Sequence, residues 1–212
     1  MSVGKRTTWH EAECAGEVSP AFRQESEGAG NTLVQVVAST PDDDSNEIYA
    51  TLLSVITYAR RSIDVTMAYF VPDDALEKAL ADAASRGVVV RIILPSYSDF
   101  SGVFYAGRAH YDELLKSGVK LYELESAFLH SKSIVVDGVW SSIGSTNFDW
   151  RSFVHNNEIS VCVIDRAFAE SMEHMYAADL ADSHEITQAA WKKRGLRERV
   201  KEWLWLPIQY WL

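Results

Sequence analysis

The chain has 212 residues, 47% of them hydrophobic, enough for one domain with a sizeable core, and its net charge of −10 is a poor footprint for nucleic acid. It contains no run of about 18 uncharged apolar residues and its start, MSVGKRTTWHEAECAGE, lacks an apolar signal core, so neither a spanning helix nor a signal peptide is expected. Its two cysteines, Cys14 in a polar stretch and Cys162 in an apolar one, argue no disulfide framework.

Residues 1–30 are rich in Glu, Gly and Ser without periodicity and read as a flexible head or linker. Leu33 to Ala38 then reads as a strand, and Asn46 to Arg61 as a helix with Ile48, Leu52, Val55 and Ile56 on one face. Ile63 to Phe70 is the next predicted strand. Pro72 opens a helix that Gly87 closes, burying Leu76, Ala79, Leu80 and Ala83. Val88 to Leu94 predicts a buried strand, Phe104 to Lys116 a helix ended by Gly118, and Val119 to Leu124 another strand. Lys132 to Val136 and Val139 to Ile143 form a hairpin through Asp137-Gly138. Glu158 to Ile164 is the last predicted strand, followed by a helix from Phe168 to Leu180. This alternation implies an α/β fold whose mostly parallel sheet is covered by helices on both faces.

The hairpin carries the chemistry. His130-Ser131-Lys132 is followed at fixed intervals by Asp137, Gly144, Ser145 and Asn147. A histidine can attack phosphorus or protonate a leaving oxygen, and a lysine two positions along a strand lies on the same face and can neutralise a phosphoryl oxygen. Asn147 adds neutral donors, while Gly144-Ser145 permits a tight turn that offers a hydroxyl and backbone N–H groups. Lys132, Ser145 and Asn147 are therefore the candidate phosphate ligands. Asp137 reads equally as a turn residue and as a site residue. A chance match to all six specified positions is on the order of one in ten million at a given place. No second His or Cys stands at metal-ligand spacing near His130, and Lys132 would repel a cation, so no metal or other cofactor is expected.

The motif HxKxxxxD followed by GSxN resembles the phospholipase D superfamily. Tyr69-Phe70-Val71-Pro72-Asp73, Arg86-Gly87-Val88, Leu94-Pro95, Phe128-Leu129-His130, Asn147 to Phe153 and Asn156-Asn157-Glu158 resemble the second half of bacterial cardiolipin synthases, a likeness running from about Leu33 to the C-terminus. Ala68 stands where that branch has proline, and Ser126-Ala127 where it often has Pro-Gly. The resemblance implies a phospholipase D-like mixed, mostly parallel β-sheet flanked by helices on both faces, organised as a head (1–30), a catalytic half-domain (31–184) and a tail (185–212). It implies catalysis by His130, Lys132, Asp137, Asn147 and Glu158, with Glu158 orienting a histidine. Family enzymes join two HxK motifs in one site. This chain has one, since His10, His110, His155, His174 and His184 lack a lysine two positions on. The second is expected from another copy in a homodimer or from a separate N-terminal half.

The implied reaction joins two phosphatidylglycerol molecules into cardiolipin and releases glycerol through a phosphohistidine. Hydrolysis by a phospholipase D, a homodimeric nuclease and a non-catalytic half-domain binding lipid or a partner remain as alternatives. The segment from Trp191 to Leu212 sets Lys192, Lys193, Arg194, Arg197, Arg199 and Lys201 against Glu198 and Glu202, which gives +4 locally and −14 elsewhere. Its tryptophans suit an anionic lipid surface, with Lys192, Lys193, Arg194, Trp203, Trp205 and Trp211 as contacts and peripheral attachment to the bacterial cell membrane as the expected location. The competing reading is a helix that packs on the body or a partner.

Overall fold

The computed structural model describes residues 32–41, 46–205 and 207, so the head expected over residues 1–30 lies outside the described part. The first strand, β1 (Leu33–Ser39), leads to α1 (Glu47–Tyr58), where Asn46 caps the first turn by accepting the Tyr49 N–H at 3.1 Å. Next come β2 (Ser62–Met67), α2 (Asp74–Ser85) and β3 (Val89–Pro95). Asp73 caps α2 through the Leu76 N–H and accepts the Tyr49 hydroxyl at 2.7 Å, which ties the two helices together. The single helix expected from Phe104 to Lys116 is instead two, α3 (Ser101–Ala109) and α4 (Tyr111–Ser117), meeting at buried His110. Gly118, in the left-handed region at φ 96°, ends α4 and admits β4 (Lys120–Leu124).

Then follow β5 (Lys132–Val136), β6 (Trp140–Gly144), α5 (Trp150–Val154), β7 (Glu158–Ile164) and α6 (Arg166–Ala181). An edge strand that the sequence pattern does not announce, β8 (Ser183–Ile186), straddles the boundary between residues 184 and 185, where the tail was expected to begin, and α7 (Gln188–Lys192) and α8 (Leu196–Trp205) follow.

Among the described residues one eight-stranded sheet runs β1-β7-β6-β5-β2-β3-β4-β8. It is mixed, as expected, but mostly antiparallel rather than mostly parallel: only β2 with β3 and β3 with β4 run parallel. The reason is the connections. Parallel neighbours need a crossover of a dozen or more residues, which α2 and the α3–α4 pair supply. After Leu124 the chain returns without a helix to β5, turns through a hairpin to β6, and reaches β7 past a five-residue helix.

Helices α1, α2 and α4 cover one face over Ile63, Val65, Ile92, Leu121 and Ile134, and α6 covers part of the other over Val135. Between them β2 is buried on both sides. Its one carboxylate, Asp64, is held bidentately by Arg91 on β3, at 2.6 and 2.7 Å. The far part of the α6 face is bare: Val34, Val36, Ile143, Ile159 and Val161 lie on the same side as Val135 by register and are exposed.

Asp137 sits at the end of β5 remote from His130. With Gly138 it makes the primed turn of the hairpin, both residues having positive φ. Its carboxylate accepts the backbone N–H groups of Arg60, Arg61 and Ser62 at 2.7 to 3.2 Å, locking the entry to β2. Asp137→Ala strips three donors of their acceptor and is expected to cost about 1–3 kcal/mol. The corresponding fall in melting temperature, roughly 2–4 °C per kcal/mol, is read by circular dichroism, with a smaller loss in Asp137→Asn.

Candidate active site

Four strand ends and their loops converge on one edge of the sheet. The register sets Lys132, at the start of β5, opposite Met67 at the end of β2, while β6 ends at Gly144 beside Ser160 near the start of β7. Two loops are then laced together: the Phe148 N–H donates to Tyr69 O at 3.1 Å, and the Val71 N–H donates to Phe148 O at 2.7 Å. At Gly144 the strands come so close that a Cβ would lie 2.3 Å from the Ile159 carbonyl oxygen and 2.6 Å from the Ser160 hydroxyl. Only glycine fits there.

An open cleft on this edge is lined by His130, Lys132, Ser145, Asn147, His155 and Glu158, so four of the five residues expected to be catalytic come together, along with the expected phosphate ligand Ser145. Asp137 does not. Five residues of strand, about 16 Å at 3.3 Å each, separate it from Lys132, and its bonds make it a structural residue.

His130 is exposed because its neighbour is not. Leu129 is buried among Ile93, Leu124 and Tyr176 and pins the loop that leads into β5, leaving the imidazole at the rim. Phe128 stacks on that ring at 14° with centroids 6.2 Å apart, and Tyr69 meets it edge-on at 6.4 Å. Tyr69 in turn donates its hydroxyl to Asp99 at 2.7 Å. Burial and that carboxylate push the Tyr69 phenol up to about 12, while the same bond holds Asp99 below the usual carboxylate range.

Lys132 donates from Nζ to the His130 carbonyl oxygen at 2.8 Å. Partial burial lowers its ammonium below the ordinary lysine range, against the pull of Glu158, Asp149 and Asp99. Asn147 is buried; its Oδ1 accepts the Tyr69 N–H at 3.2 Å, which orients the amide. Behind it, buried Asp149 caps α5 through the Ser152 N–H at 2.7 Å, and its carboxyl is pushed up by burial.

Glu158 is buried at the foot of the cleft. It accepts the Ser145 hydroxyl and, at 3.1 Å, the Asn156 amide. No hydrogen bond from Glu158 to His130 of the same chain exists among the described residues. Tyr69, Phe128 and His155 were missed as site residues by the sequence reading, although Tyr69 and Phe128 stand in the words that carry the resemblance. Asp99 has no local signal at all. No three His, Cys, Asp or Glu side chains come together as a metal site among the described residues.

The tail residues divide. Trp191 is buried between two guanidinium groups, Arg108 at 4.9 Å and Arg194 at 4.2 Å from its ring, and Arg194 also pairs with buried Glu202 at 2.9 Å. Trp205 and Tyr69 both pack against Val71, Val103 and Ala106. Lys201 donates to the Tyr105 hydroxyl at 2.6 Å, so α8 lies along α3 and ends near the cleft. Lys192, Lys193 and Trp203 are exposed, and Trp203 belongs to an apolar stripe with Leu196, Val200 and Leu204, which sequence reading had not singled out. Trp211 lies outside the described residues.

Residues 52–180 match the family model described as cardiolipin synthase, PLD-like domain. Over 192 residues the chain is 40% identical to cardiolipin synthase 2 of Bacillus anthracis, covering 91% of this chain and 37% of the relative. Over 176 residues it is 40% identical to cardiolipin synthase A of Proteus mirabilis, covering 83% and 36%. The chain thus spans less than half the length of these curated relatives. Among solved structures, Nuc of Salmonella typhimurium, a phospholipase D family member, superposes with a TM-score of 0.65 at 25% identity over 74% of this chain and 99% of that one. Phosphatidylserine synthase of Haemophilus influenzae gives 0.66 at 12% identity over 85% and 48%, a likeness of fold alone.

Because Lys132 loses its proton earlier than a free lysine, affinity for inorganic phosphate is expected to hold at neutral pH and to fall as pH rises through that lowered value. Tyr69 stays neutral meanwhile. In Lys132→Arg the guanidinium keeps its charge and the alkaline loss should vanish, as titration calorimetry from about pH 8 upward can establish. An unchanged alkaline limb in the arginine variant would remove Lys132 from anion binding.

Proposed function

The chain belongs to the cardiolipin synthase, PLD-like domain family, and from that premise we propose that it is a phosphatidyltransferase half that joins two phosphatidylglycerol molecules into cardiolipin and releases glycerol. The observation that carries the proposal is the convergence of His130, Lys132, Ser145, Asn147 and Glu158 on one open cleft. The two relatives named above, both called cardiolipin synthases, support the choice of substrate.

Two in-line displacements account for the residues. A histidine nitrogen attacks the phosphorus of one phosphatidylglycerol, the bond from phosphorus to the glycerol oxygen breaks, and a second histidine gives its proton to the departing glycerol. That second histidine then takes the proton from a hydroxyl of another phosphatidylglycerol. The freed oxygen attacks phosphorus and the phosphorus–nitrogen bond breaks. Lys132 and Asn147 stabilise the charge on the phosphoryl oxygens without a metal ion, while Ser145, whose hydroxyl is donated to Glu158, steadies that carboxylate. In a complex of unlike halves His130 serves as the acid and base; in a homodimer each copy takes either role. Glu158 makes no hydrogen bond to its own His130, which supports giving it the task of orienting the partner's histidine.

The second HxK motif comes from a partner half. The bare apolar patch of Val36, Ile143, Ile159 and Val161 flanks Ser145 and Glu158 and supplies a surface for it. A second copy of this chain is favoured by Nuc, a solved chain matched over 99% of its length. A separate N-terminal half is favoured by the greater length of the cardiolipin synthases. Transfer should appear only where light scattering shows a dimer, or when that half is added. His130→Ala should lower it by at least about a thousandfold and Lys132→Ala by about a hundredfold, with melting temperatures unchanged. Activity should survive EDTA. Turnover at the parent rate in His130→Ala, or a requirement for added magnesium, overturns the assignment.

The exposed stripe of α8, with Lys192, Lys193, Arg197 and Arg199 beside it, is the surface that meets an anionic bilayer, so the half-domain is held peripherally at the bacterial membrane. Paired Trp203→Ala and Leu204→Ser substitutions should leave stability intact but weaken sedimentation with phosphatidylglycerol vesicles at least several-fold. Binding of the parent should fall with added salt, since each basic residue contributes about 1 kcal/mol at low ionic strength. Equal binding to neutral vesicles would end this reading.

A further inference from the structure

A second cavity adjoins the cleft. It is a groove of about 450 Å³ between α6 and the strands β5 and β6, within the size of small-ligand sites. Its upper wall is His130-Ser131-Lys132, the segment that also borders the phosphate-handling cleft. Below that wall the lining turns apolar: Val135 and Ile143 from the sheet, Phe168, Met172 and Met175 from α6. Methionines are unbranched and polarisable, so they fit a flexible chain better than a rigid ring system. At the far end Asp64 is gripped by Arg91, whose guanidinium lies 5.2 Å from the Tyr176 ring centroid, while the buried Tyr176 hydroxyl has no hydrogen-bond partner among the described residues.

We infer that this groove receives one acyl chain of the lipid whose phosphodiester lies at His130 and Lys132. The inference rests on the phosphatidyl-transfer reading for its choice of lipid. It adds a determinant that the motif residues cannot supply, since they touch the phosphate and leave the hydrocarbon to be sorted elsewhere. Each methylene moved out of water multiplies affinity about fourfold, so a seated chain favours long-chain phosphodiesters over chainless ones by a wide margin.

The test is photolabelling of the full chain with long-chain phosphatidylglycerol carrying a diazirine in the acyl chain, followed by peptide mapping. Adducts should concentrate on the α6 segment from Phe168 to Met175 and on Val135 and Ile143. Met175 is 63% exposed at the mouth, so Met175→Glu should fold as the parent does while cutting the α6 adduct at least fivefold. A short-chain analogue should label weakly. Adducts confined to α8 or to the loops around Phe100 and Phe128, or an α6 yield unchanged in Met175→Glu, overturn the inference. The two readings fail apart: α6 labelling without any cardiolipin formed by the assembled halves sinks the transfer and spares the groove. Cardiolipin formed at the parent rate by Met175→Glu, with labelling elsewhere, does the reverse.

Discussion

The antiparallel entry of β5 beside β2, with Lys132 opposite Met67, is the constraint on which the site depends. A parallel β5 would carry the start of the motif to the other edge of the sheet, where Asp137 now lies. Because β5 runs against β2, its first residue stands beside the last residues of β2 and β6, and the loops that follow those strands close around it. The laced backbone of Tyr69, Val71 and Phe148 then fixes Asn147 over the same edge. The motif is short in sequence but is assembled from four strand ends, and the hydrogen-bond ladder does the assembling.

The tail shows how one helix serves two environments. Glu202, nearly inaccessible, would be a costly lone charge, yet Arg194 meets it and also covers Trp191. Arg108 takes the other contact with that indole and reaches Glu123 as well. The inner side of α8 is thereby committed to the body through Lys201, Glu202 and Trp205, and the outer side carries Leu196, Val200, Trp203 and Leu204 to solvent. Of the two readings open in the sequence, packing on the body holds for the inner side of α8, and the outer side faces solvent.

Much of the architecture was legible because its signals are local. Asn46 and Gly118 bound their helices as the sequence indicates, and Asp137-Gly138 forms the hairpin turn it spells, whereas α2 opens on an Asp73 cap and not on Pro72. What escaped was pairing between distant segments. Alternation of strand and helix holds as far as β4 and misleads after it, because sheet direction follows from the length of each connection. The short polar edge strand β8 has no apolar pattern to announce it. Within the site, residues with a fixed spacing were legible, whereas Asp99 and His155 enter only through the fold. Asp137 shows the converse: a motif position can mark a joint in the framework instead of a reacting group.

Gly144 has a consequence for how such a chain can vary. Every replacement adds at least a Cβ, and here even that atom would collide with the backbone of β7. The position is closed to drift although it offers no reactive group, while the adjoining Ile143 can change with little resistance from the framework. On the proposed chemistry, a mutational scan would score Gly144 beside His130 in severity and could not tell them apart by severity alone. They separate on abundance: losing the histidine leaves a full complement of folded protein, whereas losing the glycine depletes it, so the cost of one is counted per molecule and of the other in molecules.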